Sequence, residues 1–437
     1  MADAPDRNDV ARPLRRWLGG PVTIEEFTRL SGGASKETWS FDAIGADGTR
    51  TGLILRRDPP GRPGEPGVVD REAAALSIAH GAGLPVPEML FSFTEAAFGG
   101  AGMIMRRVEG ETIARRILRD DEYAAARNVL VGQLGQFAAG LHAQIVPIFF
   151  PRPDPLAVLR EQLDAFGRPS EVFELAMAEL AASQPPAREP VLLHGDFRLG
   201  NLIVGPEGLR AVLDWELTHV GDPAEDLGWL CVKAWRFGAA PAVAGLGSRE
   251  ELLAAYRAAG GADISPAELR WWEILGTLRW GVICLTQASV HLSGAHRSVE
   301  LAAIGRRVCE QEWDLLLLLD PEAADQAARA RPRPTGGPVQ EPAPFGRPTA
   351  SELLDAVREF LIDGVMPAMT GQLAFHARVA ANALAIVARE LQLDQGLAAG
   401  GDAAARGSAA RGSAGRDLAD QVAARLAVAN PRYFGDS

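Results

Sequence analysis

Between Val191 and Leu227 the chain reads VLLHGDFRLGNLIVGPEGLRAVLDWELTHVGDPAEDL, and no other stretch restricts the fold as much. Three short apolar runs, Val191–Leu193, Asn201–Val204 and Ala211–Leu213, are separated by polar, glycine-containing turns, the pattern of short buried strands. Asp196 follows the first run, Asn201 stands five residues later, and Asp214 follows the last run. Short strands joined by a turn bring all three to one end of a small sheet. Phosphoryl transfer needs such a convergence: oxygen ligands for magnesium, a carboxylate for the attacking hydroxyl and cations for the phosphates. His194-Gly195-Asp196 with Asn201, then Asp214-Trp215-Glu216, repeats the spacing of a kinase catalytic loop followed by a metal loop.

The surrounding chain divides into an early strand-rich part and a later helical part, an α+β pattern. From Ile24 to Arg107, strand-like segments (Phe27–Leu30, Thr38–Ala43, Gly52–Arg57, Met89–Thr94, Met103–Val108) are interrupted by one helix, Asp70–His80. After Gly110 the period becomes helical, with long candidates at Glu122–Ile145, Trp271–His291 and Arg306–Leu319. Residues 321–348 carry prolines at 332, 334, 338, 342, 344 and 348 among Ala, Arg and Gly, which reads as a linker. Thr349 and Glu352 are placed to cap a following helix; SELLDAVREFLIDGVM and AFHARVAANALAIVAREL read as a helical pair, and 417–429 as a last helix after a low-complexity loop at 400–416. The expected boundaries are an extension at 1–20, a small lobe at 21–108, a larger lobe at 109–320, the linker at 321–348 and a helical accessory domain at 349–437, so that a cut near Pro342 leaves the preceding unit folded.

Composition narrows the function. With 437 residues and 47% apolar content the chain can bury more than one core. A formal charge of −12 argues against nucleic acid as the main partner. The cysteines, Cys231, Cys284 and Cys309, are odd in number and far apart, which fits neither a disulfide framework nor structural zinc and suits a reducing, cytoplasmic setting. The first 20 residues are charged throughout and no run of apolar residues reaches membrane-spanning length, so neither secretion nor membrane insertion is expected. Only two lysines occur, Lys36 and Lys233. Chemistry that ordinarily uses a buried lysine must use one of these or an arginine.

The wording HGDFRLGN…LDWE…GDPAEDL resembles the aminoglycoside phosphotransferase and choline kinase superfamily, over about residues 20 to 320. The resemblance implies a bilobal protein-kinase-like fold, with a small β-rich N-lobe and a larger, mostly helical C-lobe, followed here by a C-terminal helical domain. FHARVAANALAIVAREL is similar to a small uncharacterised helical domain found beside such bacterial kinases; it reads as a packing or assembly module through which the chain could self-associate.

The function expected is ATP- or GTP-dependent phosphorylation of a small-molecule hydroxyl, with Mg²⁺ as cofactor. Asp196 would orient the hydroxyl and take its proton, and Arg198, two residues on, would contact the transferred phosphoryl. Asn201 and Asp214 would hold the metal. Gly32, Gly33, Ser35 and Lys36 form a loop between two strands whose backbone could cover phosphates. Arg56 stands where related kinases carry a phosphate-binding lysine, with Glu72 on the next helix as its partner and Arg57 as the competing choice. The base would lie at the lobe junction near Met105 and Arg107. His194 is read as a brace, and Asp222 and Asp226 as structural. The alternatives are a nucleotide-binding pseudokinase or an aminoglycoside or amino-alcohol kinase. Trp229, Trp235, Trp271, Trp272 and Trp280 interleaved with Arg236, Arg270 and Arg279 suit an acceptor with an apolar body and an anionic end, such as a hydroxyacyl thioester or hydroxy acid. The resemblance points the same way, because kinase domains of this wording also occur joined to acyl-CoA dehydrogenases.

Overall fold

The computed structural model describes residues 5–30, 36–59, 64–94, 98, 100–167, 170–331, 350–399 and 414–434. Its contacts divide the chain into two units, Met1–Pro153 with Pro185–Glu273, and Asp154–Gln184 with Ile274–Ser437. The loop expected at Gly32, Gly33 and Ser35, the linker from residue 332 with the Thr349 cap, and the loop from residue 400 to 413 lie outside the described residues.

The first unit begins with α1 (Arg7–Leu18), capped by Asp6, whose carboxylate accepts the Asn8 N–H at 2.7 Å. Its arginines point outward, whereas Val10, Ala11 and Leu14, three or four residues apart on one face, are buried among Trp39, Phe41, Leu53 and Leu55. The segment expected as an extension is therefore part of a core. Next come β1 (Thr23–Arg29), β2 (Glu37–Ile44), β3 (Arg50–Arg57), α2 (Val68–Gly81), β4 (Met89–Phe93) and β5 (Gly102–Arg106). They build an antiparallel sheet in the order β1-β2-β3-β5-β4, with α2 packed on β4 and β5. Alternation sends Trp39, Phe41, Leu53, Leu55 and Ile104 to the α1 side. The opposite face carries the cross-strand rows Thr38–Arg56–Met103 and Ser40–Ile54–Met105.

The chain continues through α3 (Ala114–Arg119) and α4 (Ala124–His142), then α5 (Pro155–Ala165) and α6 (Glu171–Ala182), which belong to the second unit. It returns as β6 (Val191–Leu193), β7 (Leu202–Gly205), β8 (Gly208–Val212), β9 (His219–Gly221), α7 (Ala224–Cys231), α8 (Arg249–Ala258) and α9 (Pro266–Leu292). β6 pairs with β9, and β7 with β8, both antiparallel. α4 packs on α8 so closely that a Cβ on Gly135 would lie 2.8 Å from the Tyr256 backbone nitrogen. A side chain there would force the two helices apart.

In the second unit, α10 (Val299–Gly305) and α11 (Val308–Leu319) are followed directly by α12 (Pro321–Ala330). Helix, not linker, occupies the first part of the expected 321–348 segment. Asp320 accepts the Ala323 N–H at 3.0 Å, Pro321 sits in the first turn where its missing N–H costs nothing, and Ala324 and Ala327 are fully buried. Beyond residue 349 stand α13 (Ala350–Glu359), the short α14 (Met366–Ala368), α15 (Gly371–Ala399) and α16 (Ala414–Ala429). α16 packs on α11 and α12, burying Leu418, Val422 and Leu426. It also brings partners to the buried acids of α11. Arg425 reaches Glu312 at 2.7 Å, Asn430 reaches Glu310 at 3.0 Å, and the Tyr433 hydroxyl donates to Asp314 at 2.6 Å. Buried carboxylates deprived of such partners are costly, so the expected clean cut near Pro342 does not fit this packing.

Among the described residues no helix is long and apolar enough to cross a membrane. A chain ending before residue 414 should melt at lower temperature or become insoluble, and Leu426→Ala should destabilise the full chain by ~2–5 kcal/mol in denaturant unfolding.

Candidate active site

The loop after β6 is shaped by one buried carboxylate. Asp226 on α7 accepts the backbone N–H of His194 at 2.8 Å and of Gly195 at 2.9 Å, with His142 Nε2 3.4 Å away. Burial opposes its charge, yet the His142 bond and the backbone donors hold its carboxyl below the usual range. Gly195 has φ +80°, and a Cβ there would lie 2.3 Å from the Leu217 carbonyl. Only glycine fits between His194 and Asp196. His194 is fully buried; its Nε2 donates to the Leu213 carbonyl at 2.9 Å while Nδ1 accepts the Asp196 N–H at 3.1 Å. Burial pushes this imidazole down from 6.5, so it is the neutral tautomer that ties the Asp196 turn to the end of the β7–β8 hairpin. It braces, as expected from sequence.

The hairpin brings the next two groups. Asn201 opens β7 and its carbonyl accepts the Leu213 N–H at 2.8 Å, which sets Asp214 beside it. Asp214 has φ 68°, a left-handed conformation rare among non-glycine residues, though aspartate tolerates it better than most. Asn201 Nδ2 donates to the Asp196 carboxylate at 2.7 Å and to the Asp196 carbonyl at 3.0 Å. Arg198 Nε lies 2.9 and 3.1 Å from the two Asp196 oxygens, and the Trp229 indole N–H donates to Oδ1 at 2.8 Å. Three donors thus fix one carboxylate.

A second cluster gathers on the sheet face opposite α1. Arg56 pairs with Glu72 of α2 through one Nη, and with Asp214 and, at 3.3 Å, Glu216 through the other. Burial works against the guanidinium charge, but these three carboxylates outweigh it and raise its pKa. Burial also raises Glu72, against the pull of Arg56 and Lys36. Arg57 points to the other side, buried against Glu37 at 2.8 Å, so strand alternation decides between the two arginines. Lys36 is buried on Asp58 at 3.1 Å with Glu72 at 4.0 Å, which differs from a solvated loop lysine. Two cations thus face four carboxylates.

The remaining candidates separate. Met105 is buried beside Ile54. Arg107 stands at the far end of the same face, engaged by Asp42 at 2.9 Å, Glu109 at 2.8 Å and Ser40 at 3.2 Å, outside both clusters. Trp271 and Trp272 are core and stack edge to face. Trp229 and Trp235 do approach the site: Trp229 through Asp196, and Trp235 through Arg198, whose guanidinium lies 4.8 Å from its ring centroid. The sequence put Trp229 among the tryptophans suited to an acceptor, not on Asp196. Its signal was the α7 spacing, which puts Trp229 three residues after Asp226 on one helix face. A cavity of about 440 Å³ opens elsewhere, by His142, Tyr256, Arg188 and Val191, and none of Asp196, Arg198, Asn201 or Asp214 lines it.

The oxygen donors suit a hard divalent cation such as Mg²⁺. Asn201 gives its Nδ2 to Asp196, which leaves its Oδ1 as an oxygen donor, while the Asp214 and Glu216 carboxylates meet at Arg56. The excess of negative charge around Arg56 favours a cation there.

His194 offers a test by pH. Its folded pKa is depressed, so below about 6.5 the unfolded chain takes a proton that the folded one refuses, and stability falls as pH drops. Unfolding free energy measured between pH 7.5 and 5 should decline, by up to ~1.4 kcal/mol per pH unit from this group, with a shallower slope in His194→Gln.

Residues 367–419 match a domain of unknown function. The Gallus gallus protein acyl-CoA dehydrogenase family member 11 is 31% identical over 248 residues, 51% of this chain and 30% of that protein. Acyl-CoA dehydrogenase family member 10 of Mus musculus is 26% identical over 194 residues, 41% of this chain and 18% of its own length. The chain therefore spans about a third or less of these relatives. A solved Ralstonia eutropha structure of aminoglycoside phosphotransferase type superposes with TM-score 0.56 at 19% identity, covering 72% of this chain and 98% of that one, and shows the shared kinase-like fold. Residues 26–272 match the phosphotransferase enzyme family, and with more than half its length in that match the chain belongs to this family of phosphotransferases.

Proposed function

We propose that the chain is an ATP-dependent kinase, with GTP as the alternative donor, acting on the hydroxyl of a small acyl compound. The observation that carries this reading is the Asp196 carboxylate, held by Asn201, Arg198 and Trp229 at the mouth of the β7–β8 hairpin. A carboxylate fixed in that way can align an acceptor hydroxyl and accept its proton as the phosphoryl group transfers. Arg198 lies close enough to neutralise charge on the group in transit. Asn201 and Asp214 would hold Mg²⁺, which when bound supplies charge neutralisation at the phosphate oxygens. Arg56, anchored by Glu72, would exchange its contact with Asp214 for the nucleotide's phosphates, a fork-shaped donor serving where lysine is usual. The face carrying Ile54, Met103 and Met105 offers apolar surface for the base.

For the acceptor, the Arg198 cation beside Asp196, backed by the buried rings of Trp229 and Trp235, favours an acceptor with an anionic end, such as a hydroxyacyl thioester or hydroxy acid, over a polycationic drug. The relatives named as acyl-CoA dehydrogenases support an acyl group.

Asp196→Asn should lower turnover by at least about a hundredfold while nucleotide affinity, measured by calorimetry, stays within a few fold. Near-wild-type turnover would remove Asp196 from the reaction. Arg56→Ala should weaken MgATP binding about tenfold or more, with Arg56→Lys recovering part of it. In a panel of acceptors, hydroxyacyl-CoA or hydroxy acids should be phosphorylated and kanamycin-type drugs should not. The opposite outcome would reverse the acceptor assignment, and tight nucleotide binding without any turnover would favour a regulatory pseudokinase.

A further inference from the structure

We infer that Trp229 is a positioning residue for the base, acting through its indole N–H on Asp196; the inference rests on the assignment of Asp196 proposed above. Trp229 is 3% exposed, and its Nε1 lies 2.8 Å from Asp196 Oδ1. The other Asp196 donors, Arg198 and Asn201, sit two and five residues along the same loop. Trp229 alone among the three reaches the carboxylate from a separate helix. It stands three residues after Asp226, which holds the His194 and Gly195 N–H groups. One face of α7 therefore grips the loop twice, by its backbone through Asp226 and by its reacting side chain through Trp229.

The arrangement closes on itself. The Trp229 ring lies 5.3 Å from that of Trp235, Trp235 carries the Arg198 guanidinium at 4.8 Å, and Arg198 returns to Asp196. A carboxylate on a single side-chain bond rotates about χ2 unless both oxygens are held. Here Oδ2 is set by Asn201 and Oδ1 by Trp229, so the torsion is fixed from both sides, and the oxygen that meets the acceptor keeps one direction. Loss of the indole donor would leave Oδ1 to Arg198, a long side chain that must also face the transferred group.

The test separates the N–H from the bulk of the ring. Replacing Trp229 in the full chain by its benzothiophene isostere, with sulfur where the N–H stands, preserves shape and packing. Trp229→Phe serves as the genetically simple second variant. The probe is MgATP with water as acceptor, so that no acceptor need be known, and Asp196→Asn is measured alongside. The expected result is a roughly ten- to hundredfold loss of kcat in the isostere with MgATP affinity and melting temperature unchanged, and recovery with an aza-tryptophan that keeps the indole N–H. If the isostere turns over like the wild type while Asp196→Asn is inactive, the positioning role is overturned and the base assignment survives. If Asp196→Asn itself retains full turnover, the base assignment fails, and the role inferred for Trp229 fails with it.

Discussion

The buried carboxylate of Asp226 is the constraint on which the site hangs. It is 1% exposed and accepts two consecutive backbone N–H groups from the turn that carries Asp196. Those donors face inward because Gly195 takes a left-handed conformation with no room for a side chain. Without Asp226 two buried N–H groups would lack partners, at about 1–3 kcal/mol each, and the turn would relax into a different shape. His194 extends the constraint to the β7–β8 hairpin, because its two nitrogens join the Asp196 amide to the Leu213 carbonyl. Geometry at the Asp196 carboxylate is thus set in part by two buried groups behind it, Asp226 and His194.

Much of this was legible in the chain itself. Alternation in Leu53-Ile54-Leu55-Arg56-Arg57 separates two adjacent arginines by face, and the structure puts Arg56 on Glu72 and Arg57 on Glu37. Spacing placed Asp196, Asn201 and Asp214 together because β-hairpins convert sequence separation into proximity by a fixed rule. What spacing cannot convey is a contact made across elements. Trp229 stood in the sequence as one of five tryptophans suited to an acceptor, and only the packing of α7 shows its indole on Asp196. Lys36, read from sequence as part of a phosphate-covering loop, is buried on Asp58, a contact between residues 22 apart that the loop's glycines do not foretell.

The misread segments fail for a related reason. Val10, Ala11 and Leu14 are three buried apolar residues in a helix with five charged ones, too few to outweigh the impression of a charged tail until the sheet they cover is known. Pro321 suggested the start of a linker, although after Asp320 a proline opens a helix as readily as it ends one. In α11 the periodicity of Arg306–Leu319 gives a helix but not the partners of its buried acids: Glu310, Glu312 and Asp314 are met by Asn430, Arg425 and Tyr433 over a hundred residues later. Composition describes what a segment could do alone; these segments are defined by what covers them.

Arginine in place of lysine changes how the empty and loaded states relate. An ammonium is a compact charge that could serve Glu72 or Asp214 well, but the planar guanidinium serves both at once, one Nη to each. Arg56 therefore links α2 directly to Asp214, two residues after β8, the same carboxylate that is proposed above to hold the metal. On the proposed function, the nucleotide's phosphates would compete for the guanidinium and Mg²⁺ for Asp214. Each would release the group the other requires, so the two would bind with positive coupling in the thermodynamic sense, and the cost of opening the ion pair would be shared between them.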